Sequence, residues 1–197
     1  MSLALFLAFQ VAAASAAAPY PSGDVLDAFD AACRNIASIE KVEADLVEQE
    51  WVAEIPATDS PLGRLLAVGR AGAAEILNET GDRMSDTRVF TKTVSGESLD
   101  IIVSRVESNG TIVNGCRLYD VAETRSIDLA KADKWIGRKA DKVIEREEPA
   151  VVNWTPGYAD GHDSFEIFYV PEGSPVIKLT QFNGIALKAD FVGETEQ

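Results

Sequence analysis

The sequence of 197 residues is poor in the side chains that build most metal centres: it contains one histidine and two cysteines. Zinc fingers, iron–sulfur clusters and multi-histidine sites need more of these ligands, so we expect neither a metal nor another cofactor. Basic residues are also few, because 18 lysines and arginines stand against 32 acids and leave a net charge of −14. Such a chain repels the phosphate backbone, which argues against a nucleic-acid-binding protein.

Long apolar runs are missing from most of the chain. Beyond residue 13, no stretch approaches the roughly 18 consecutive apolar residues that a membrane-spanning helix needs. At the N-terminus, the first charged side chain is Asp24, and residues 3–13 form an apolar run of the length found in signal peptides. The small residues Ala14-Ser15-Ala16 follow, and they predict cleavage after Ala16.

The chain therefore divides into a cleaved signal peptide (1–16), an N-terminal tail (17–23) and a single domain (24–197). This division predicts a periplasmic or secreted protein whose mature chain has no membrane span. No basic residue precedes the apolar run, so a segment retained as an anchor is the alternative.

Two cysteines in an exported chain favour one disulfide, between Cys33 and Cys116. Cys33 belongs to an apolar stripe with helical spacing, which places it on the buried face of a first helix. Cys116 follows Asn109-Gly110, a strong hairpin signal between two β-rich runs. A two-residue turn there makes Val103 oppose Cys116, so the strand residue faces the same core. Two buried free thiols are the alternative.

The remaining patterns predict an α+β fold, in which N-terminal helices pack on one face of an antiparallel sheet of about six or seven strands. A short helix, capped by Ser126 and ended by Gly137, separates two groups of strands. We expect further helices at 39–49 and from Ser60-Pro61 onward, and strands at 87–94, 98–107, 111–119, 148–154, 164–170, 175–182 and 185–192. The last two strands are predicted to pair as a hairpin with its turn at Asn183-Gly184.

One segment has the composition of a catalytic loop. Residues 158–163 contain the sole histidine, His162, with Asp160 and Asp163 beside it. A histidine next to a carboxylate can act as a general base, so His162 with Asp160 or Asp163 is the candidate catalytic set. The same residue types beside glycine are also typical of exposed turns. No nucleophile elbow, zinc-protease motif or phosphate-binding loop accompanies them.

Three short blocks, with a helical Cys33 upstream, resemble uncharacterised exported proteins of alphaproteobacteria. They are residues 114–120 (NGCRLYD), 135–138 (WIGR) and 154–157 (WTPG). The resemblance implies a periplasmic, disulfide-linked α+β domain of bacterial origin. It implies no activity and no catalytic residues.

Taken together, these patterns favour a non-catalytic binding or accessory module of the cell envelope over an enzyme. The acidity suggests a cationic protein or an envelope component as its partner. The alternative is an envelope hydrolase that uses His162 with Asp160 or Asp163.

Overall fold

A computed structural model describes residues 18–80, 82–85, 87–145 and 150–194, so the predicted signal peptide lies outside the described residues. Within these ranges the chain forms five helices and nine strands. The helices are α1 (Ser22–Cys33), α2 (Ile39–Glu48), α3 (Pro61–Thr80), α4 (Leu129–Ile136) and α5 (Ile177–Thr180). The strands are β1 (Val52–Glu54), β2 (Arg83–Met84), β3 (Arg88–Val94), β4 (Glu97–Ser108), β5 (Thr111–Val121), β6 (Lys142–Glu145), β7 (Ala150–Trp154), β8 (Ser164–Val170) and β9 (Gly184–Glu194).

All nine strands join one antiparallel sheet in the order β1-β3-β4-β5-β9-β8-β7-β6, and β2 also pairs with β4. The predicted α+β class is confirmed, whereas the prediction of six or seven strands is too low. The strands that sequence reasoning missed are β1, β2 and β6, of two to four residues each. Such short strands carry too few residues for an alternating pattern to be recognised.

The β4–β5 hairpin has the predicted register. Asn109 and Gly110 both adopt positive φ angles, 49° and 81°, as a primed two-residue turn requires. Val103 pairs with Cys116, and a disulfide joins Cys116 to Cys33 of α1. The predicted disulfide is therefore confirmed.

The main core lies between one face of the sheet, which we call the inner face, and helices α1, α2 and α4. Phe29 of α1 is fully buried there and packs against Phe165 of β8, with 5.6 Å between the ring centroids. Asp128 caps α4 by accepting from the backbone N–H groups of Ala130 and Lys131, so the predicted cap at Ser126 is wrong by two residues. Gly137 ends α4 in the left-handed conformation, as predicted.

Helix α3 lies on the opposite, outer face of the sheet, which corrects the prediction that the N-terminal helices share one face. Its Leu62 packs with Val89 and Ile102, whose strand neighbours Phe90 and Ile101 face the inner core. The physical reason is that the central strands are apolar on both faces, so both faces need cover.

The predicted strand 175–182 is also wrong, because this segment forms a turn and the short helix α5. Strand β9, to which it was expected to pair, is flanked by β5 and β8 and has no free edge. Gly184 begins β9 with a φ of 117°, and a Cβ there would lie 2.1 Å from the carbonyl oxygen of Asp120. Asn183-Gly184 is therefore a tight entry into a central strand and not a hairpin turn.

Candidate functional site

Two adjoining cavities, of about 320 and 200 Å³, lie between α3 and the outer face of the sheet. Both are lined by Leu65 of α3 and by Arg117 and Tyr119 of β5, so we treat them as one site, the α3 groove. The larger cavity is also lined by Leu66, Ala73, Met84, Ile102 and Val106. The smaller cavity is also lined by Phe168, Val170, Phe182 and Ala186. The groove is therefore largely apolar.

The strand register explains how an apolar and a charged zone come to lie side by side in this groove. Tyr119, Ala186 and Phe168 are direct cross-strand neighbours on β5, β9 and β8 and form an apolar row. Two residues along the same strands, Arg117 and Lys188 form a charged row. Residues two apart on a strand share a face, so both rows open onto the same space.

The two cations of the charged row are held by ion pairs. Arg117 donates to the Ser104 hydroxyl at 2.9 Å and lies 3.5 Å from an Asp190 oxygen. Lys188 lies 2.8 Å from Asp190 and 3.3 Å from Glu166.

The absence of a side chain at Gly115 leaves room for the guanidinium of Arg117. A Cβ at residue 115 would lie 2.4 Å from a terminal nitrogen of Arg117. The guanidinium therefore lies across the backbone of β5 where a side chain would otherwise stand. The missing side chain at Gly115 thus sets where the charge sits in the groove.

Arg70 of α3 adds a third positive charge at the groove. It is exposed, and it makes no hydrogen bond or ion pair within the described residues. The lining of the two cavities thus contains three bases and no acid among the described residues, in a chain whose net charge is −14. By contrast, the lining of a polar cavity beside α2 includes three acids, Glu40, Glu107 and Glu194, and one base, Arg105.

Helix α3 covers the groove loosely. Its N-terminus is capped by Ser60, whose hydroxyl accepts from the backbone N–H of Gly63 at 3.0 Å. Gly69 and Gly72 lie further along, and a Cβ at either would meet no atom within 4 Å. A glycine inside a helix costs about 1 kcal/mol relative to alanine. Packing therefore does not require these glycines, and the helix is intrinsically weakened where it faces the larger cavity.

His162 lies on the other side of the sheet, against the end of α1. Only 3% of it is exposed, and its Nε2 is 3.0 Å from the carbonyl oxygen of Arg34, to which it donates. The ring packs edge-on against Tyr158, with 4.4 Å between the centroids. Burial lowers the pKa of His162. The neutral imidazole of His162 thus joins the loop 158–163 to the C-terminal end of α1 through this hydrogen bond.

The predicted carboxylate partners of His162 point elsewhere. Asp163 accepts from the backbone N–H of Val192 at 2.6 Å, and Asp160 is exposed without a side-chain hydrogen bond in the described structure. No described hydrogen bond joins His162 to either aspartate. The hydrolase alternative stays a prediction, and the geometry around His162 lends it no support.

Glu97, Asp120 and Glu123 bring carboxylate oxygens within 4.8 Å of one another. The guanidinium of Arg125 lies among them, 2.8 Å from Glu97 and in direct contact with Glu123. Since Arg125 already supplies the positive charge that a metal ion would bring, we assign this acidic cluster a structural role.

The acidic cluster fastens the predicted N-terminal tail to the sheet. Tyr20 is 4% exposed and donates its hydroxyl to Asp120 at 2.9 Å. Burial raises the pKa of Asp120 to about 6. Hydrogen bonds from Arg125 are the largest cause that lowers the pKa of Glu123, to about 2. The pKa values of these two neighbouring carboxylates are thus shifted in opposite directions.

Compared with protein-family models, curated proteins and solved structures, the chain matches none. The resemblance to exported alphaproteobacterial proteins is therefore not confirmed. Within the described residues, no helix has both the length and the apolar character needed to cross a membrane.

Proposed function

We propose that the chain is an exported, non-catalytic binding protein of the cell envelope that holds an apolar or amphiphilic small molecule in the α3 groove. The observation that carries the proposal is the pair of adjoining apolar cavities, together about 500 Å³, under a loosely packed helix. Ligand sites are typically concave and mostly apolar, with volumes of roughly 300–1,000 Å³ and a few polar groups that fix orientation.

The side chains of the groove favour binding over catalysis. Its described lining includes no histidine, cysteine or carboxylate that would serve as a general base or nucleophile. The hydroxyl of Ser104 is already engaged by Arg117. An apolar row beside a few fixed charges can hold and orient a ligand without reacting with it.

The disulfide between Cys33 and Cys116 is compatible with export. A disulfide persists in an oxidising compartment and is rare in the bacterial cytosol. The bridge between Cys33 and Cys116 therefore supports the periplasm or the exterior as the place where the groove meets its ligand.

Filling the groove tests the proposal. We expect Gly69→Leu to weaken binding of the neutral apolar dye N-phenyl-1-naphthylamine at least tenfold, because the new side chain projects into the larger cavity. The same change should raise the free energy of unfolding by about 0.5–1 kcal/mol, since leucine is the better helix former. Dye fluorescence titration and denaturant unfolding measure the two effects.

Gly72→Leu is the matched control. Residue 72 has the same open surroundings and the same helix but does not line the groove, so this variant should gain stability and keep its dye affinity. Equal dye binding by both variants would place the binding site elsewhere and refute the proposal. So would a wild-type protein that does not bind the dye.

A further inference from the structure

We infer that the ligand of the α3 groove is a single-chain amphiphile with an anionic head group. Its alkyl chain lies along the apolar row, and its head group contacts Arg70 and Arg117. This inference rests on the proposed function and adds the chemical class of the ligand.

The charged side chains that line the groove are all positive among the described residues. Acids outnumber bases in the whole chain, 32 to 18, yet the described lining of the two cavities contains three bases and no acid. A cationic ligand would find an excess of carboxylates beside α2 instead, where three acids and one base, Arg105, line a polar cavity. The groove is thus an electropositive site on an acidic protein, which suits an anion.

The three cations of the groove differ in whether an acid pairs with them. Arg117 and Lys188 stand directly opposite each other on neighbouring strands, an arrangement that is repulsive by itself. Asp190 pairs with both, and Glu166 pairs with Lys188, so these four groups balance in charge. Arg70 has no partner among the described residues, so within this part of the chain the groove carries one uncompensated positive charge.

The apolar row and the charged row of the groove adjoin on strand β5. Arg117 and Tyr119 are two residues apart on β5 and face the same side, and both line both cavities. A linear molecule that occupies the apolar row beside Tyr119 therefore brings its end group to Arg117. A long alkyl chain suits two adjoining cavities with largely apolar linings, whereas these walls offer few hydrogen-bond partners to a polar body.

Competition by matched C16 chains tests the inference. Hexadecanoate, hexadecyl phosphate, hexadecanol and hexadecyltrimethylammonium are each titrated against bound N-phenyl-1-naphthylamine, below the solubility limit or micelle concentration of each. We expect the two anionic chains to displace the dye at concentrations at least tenfold lower than the cationic chain. The carboxylate and phosphate arms distinguish a free fatty acid from a lipid phosphate as the natural source.

Variants locate the head group. Arg70→Gln and Arg117→Gln should each weaken hexadecanoate about tenfold and leave hexadecanol unchanged, since only the charged head group loses a partner. Arg105→Gln is the control, because Arg105 pairs with Glu107 and does not line the groove. Arg70→Gln removes no described contact, so a folding defect is not expected to confuse its result.

The outcomes separate the two proposals. Equal competition by all four chains, or equal loss of hexadecanoate and hexadecanol in the variants, would overturn the anionic head group while the binding function stands. If no C16 chain displaces a dye that Gly69→Leu weakens, the amphiphile is refuted while the apolar binding site stands; if the dye itself does not bind, the proposed function is refuted.

Discussion

Exchange of Cys33 and Cys116 for alanine is expected to lower the free energy of unfolding by about 4 kcal/mol. The bridge joins residues 83 apart, and the chain-entropy model assigns roughly 4–5 kcal/mol to the closure of a loop of that length. Both residues are fully buried between α1 and β5. In the chain-entropy model the loss arises because the unfolded chain of the variant is no longer constrained by the bridge. Equilibrium unfolding in denaturant, with and without a reductant, measures it.

The reductant provides the internal control. It should destabilise the wild type by a similar amount and have no effect on the double variant. A loss below about 1 kcal/mol in the double variant would show that the bridge contributes little to stability, against the chain-entropy argument.

Asp120→Asn is expected to stabilise the protein at neutral pH by about 2–3 kcal/mol. Burial raises the pKa of Asp120 from its ordinary value of 3.8 to about 6, so the folded state disfavours the ionised carboxylate. Each pKa unit is worth about 1.4 kcal/mol. Asparagine keeps an oxygen that accepts from Tyr20 and removes the charge.

The raised pKa of Asp120 determines the pH range in which the stability of the protein changes. Because the folded state binds a proton more tightly than the unfolded state, the penalty grows as pH rises from about 4 to about 6 and is constant above that. The stability difference between Asp120→Asn and the wild type, measured by denaturant unfolding, should follow this curve. Glu123→Gln gives the opposite sign at neutral pH, because Arg125 stabilises the ionised form of Glu123. A difference that does not change with pH would contradict the assignment to Asp120.

Local signals in the sequence predict the parts of the fold that depend on neighbouring residues. The Asn109-Gly110 turn determines the register of β4 and β5, and that register together with the helical stripe brings Cys33 and Cys116 together. Gly137 is predicted correctly for the same reason, since a helix end is a local event. These features need no knowledge of the distant chain.

The groove depends on the distant chain and was not predicted. It requires α3 on the outer face and β9 between β5 and β8, and neither placement has a local signal. One pattern in β4 indicates it: the consecutive apolar residues Ile101 and Ile102 show that this strand needs cover on both faces. The sequence favours His162 as a catalytic candidate because it is the only histidine and stands beside Asp160 and Asp163, but neither property gives information about burial.

The methyl group of Met84 offers a direct view of the groove. The sequence has two methionines, Met1 in the predicted signal peptide and Met84, which lines the larger cavity. In the protein labelled with ¹³C at the methionine methyl groups, binding of hexadecanoate should shift the Met84 resonance. A nitroxide label on the alkyl chain should broaden it. If hexadecanoate binds and the Met84 resonance neither shifts nor broadens, the ligand does not lie between α3 and the sheet.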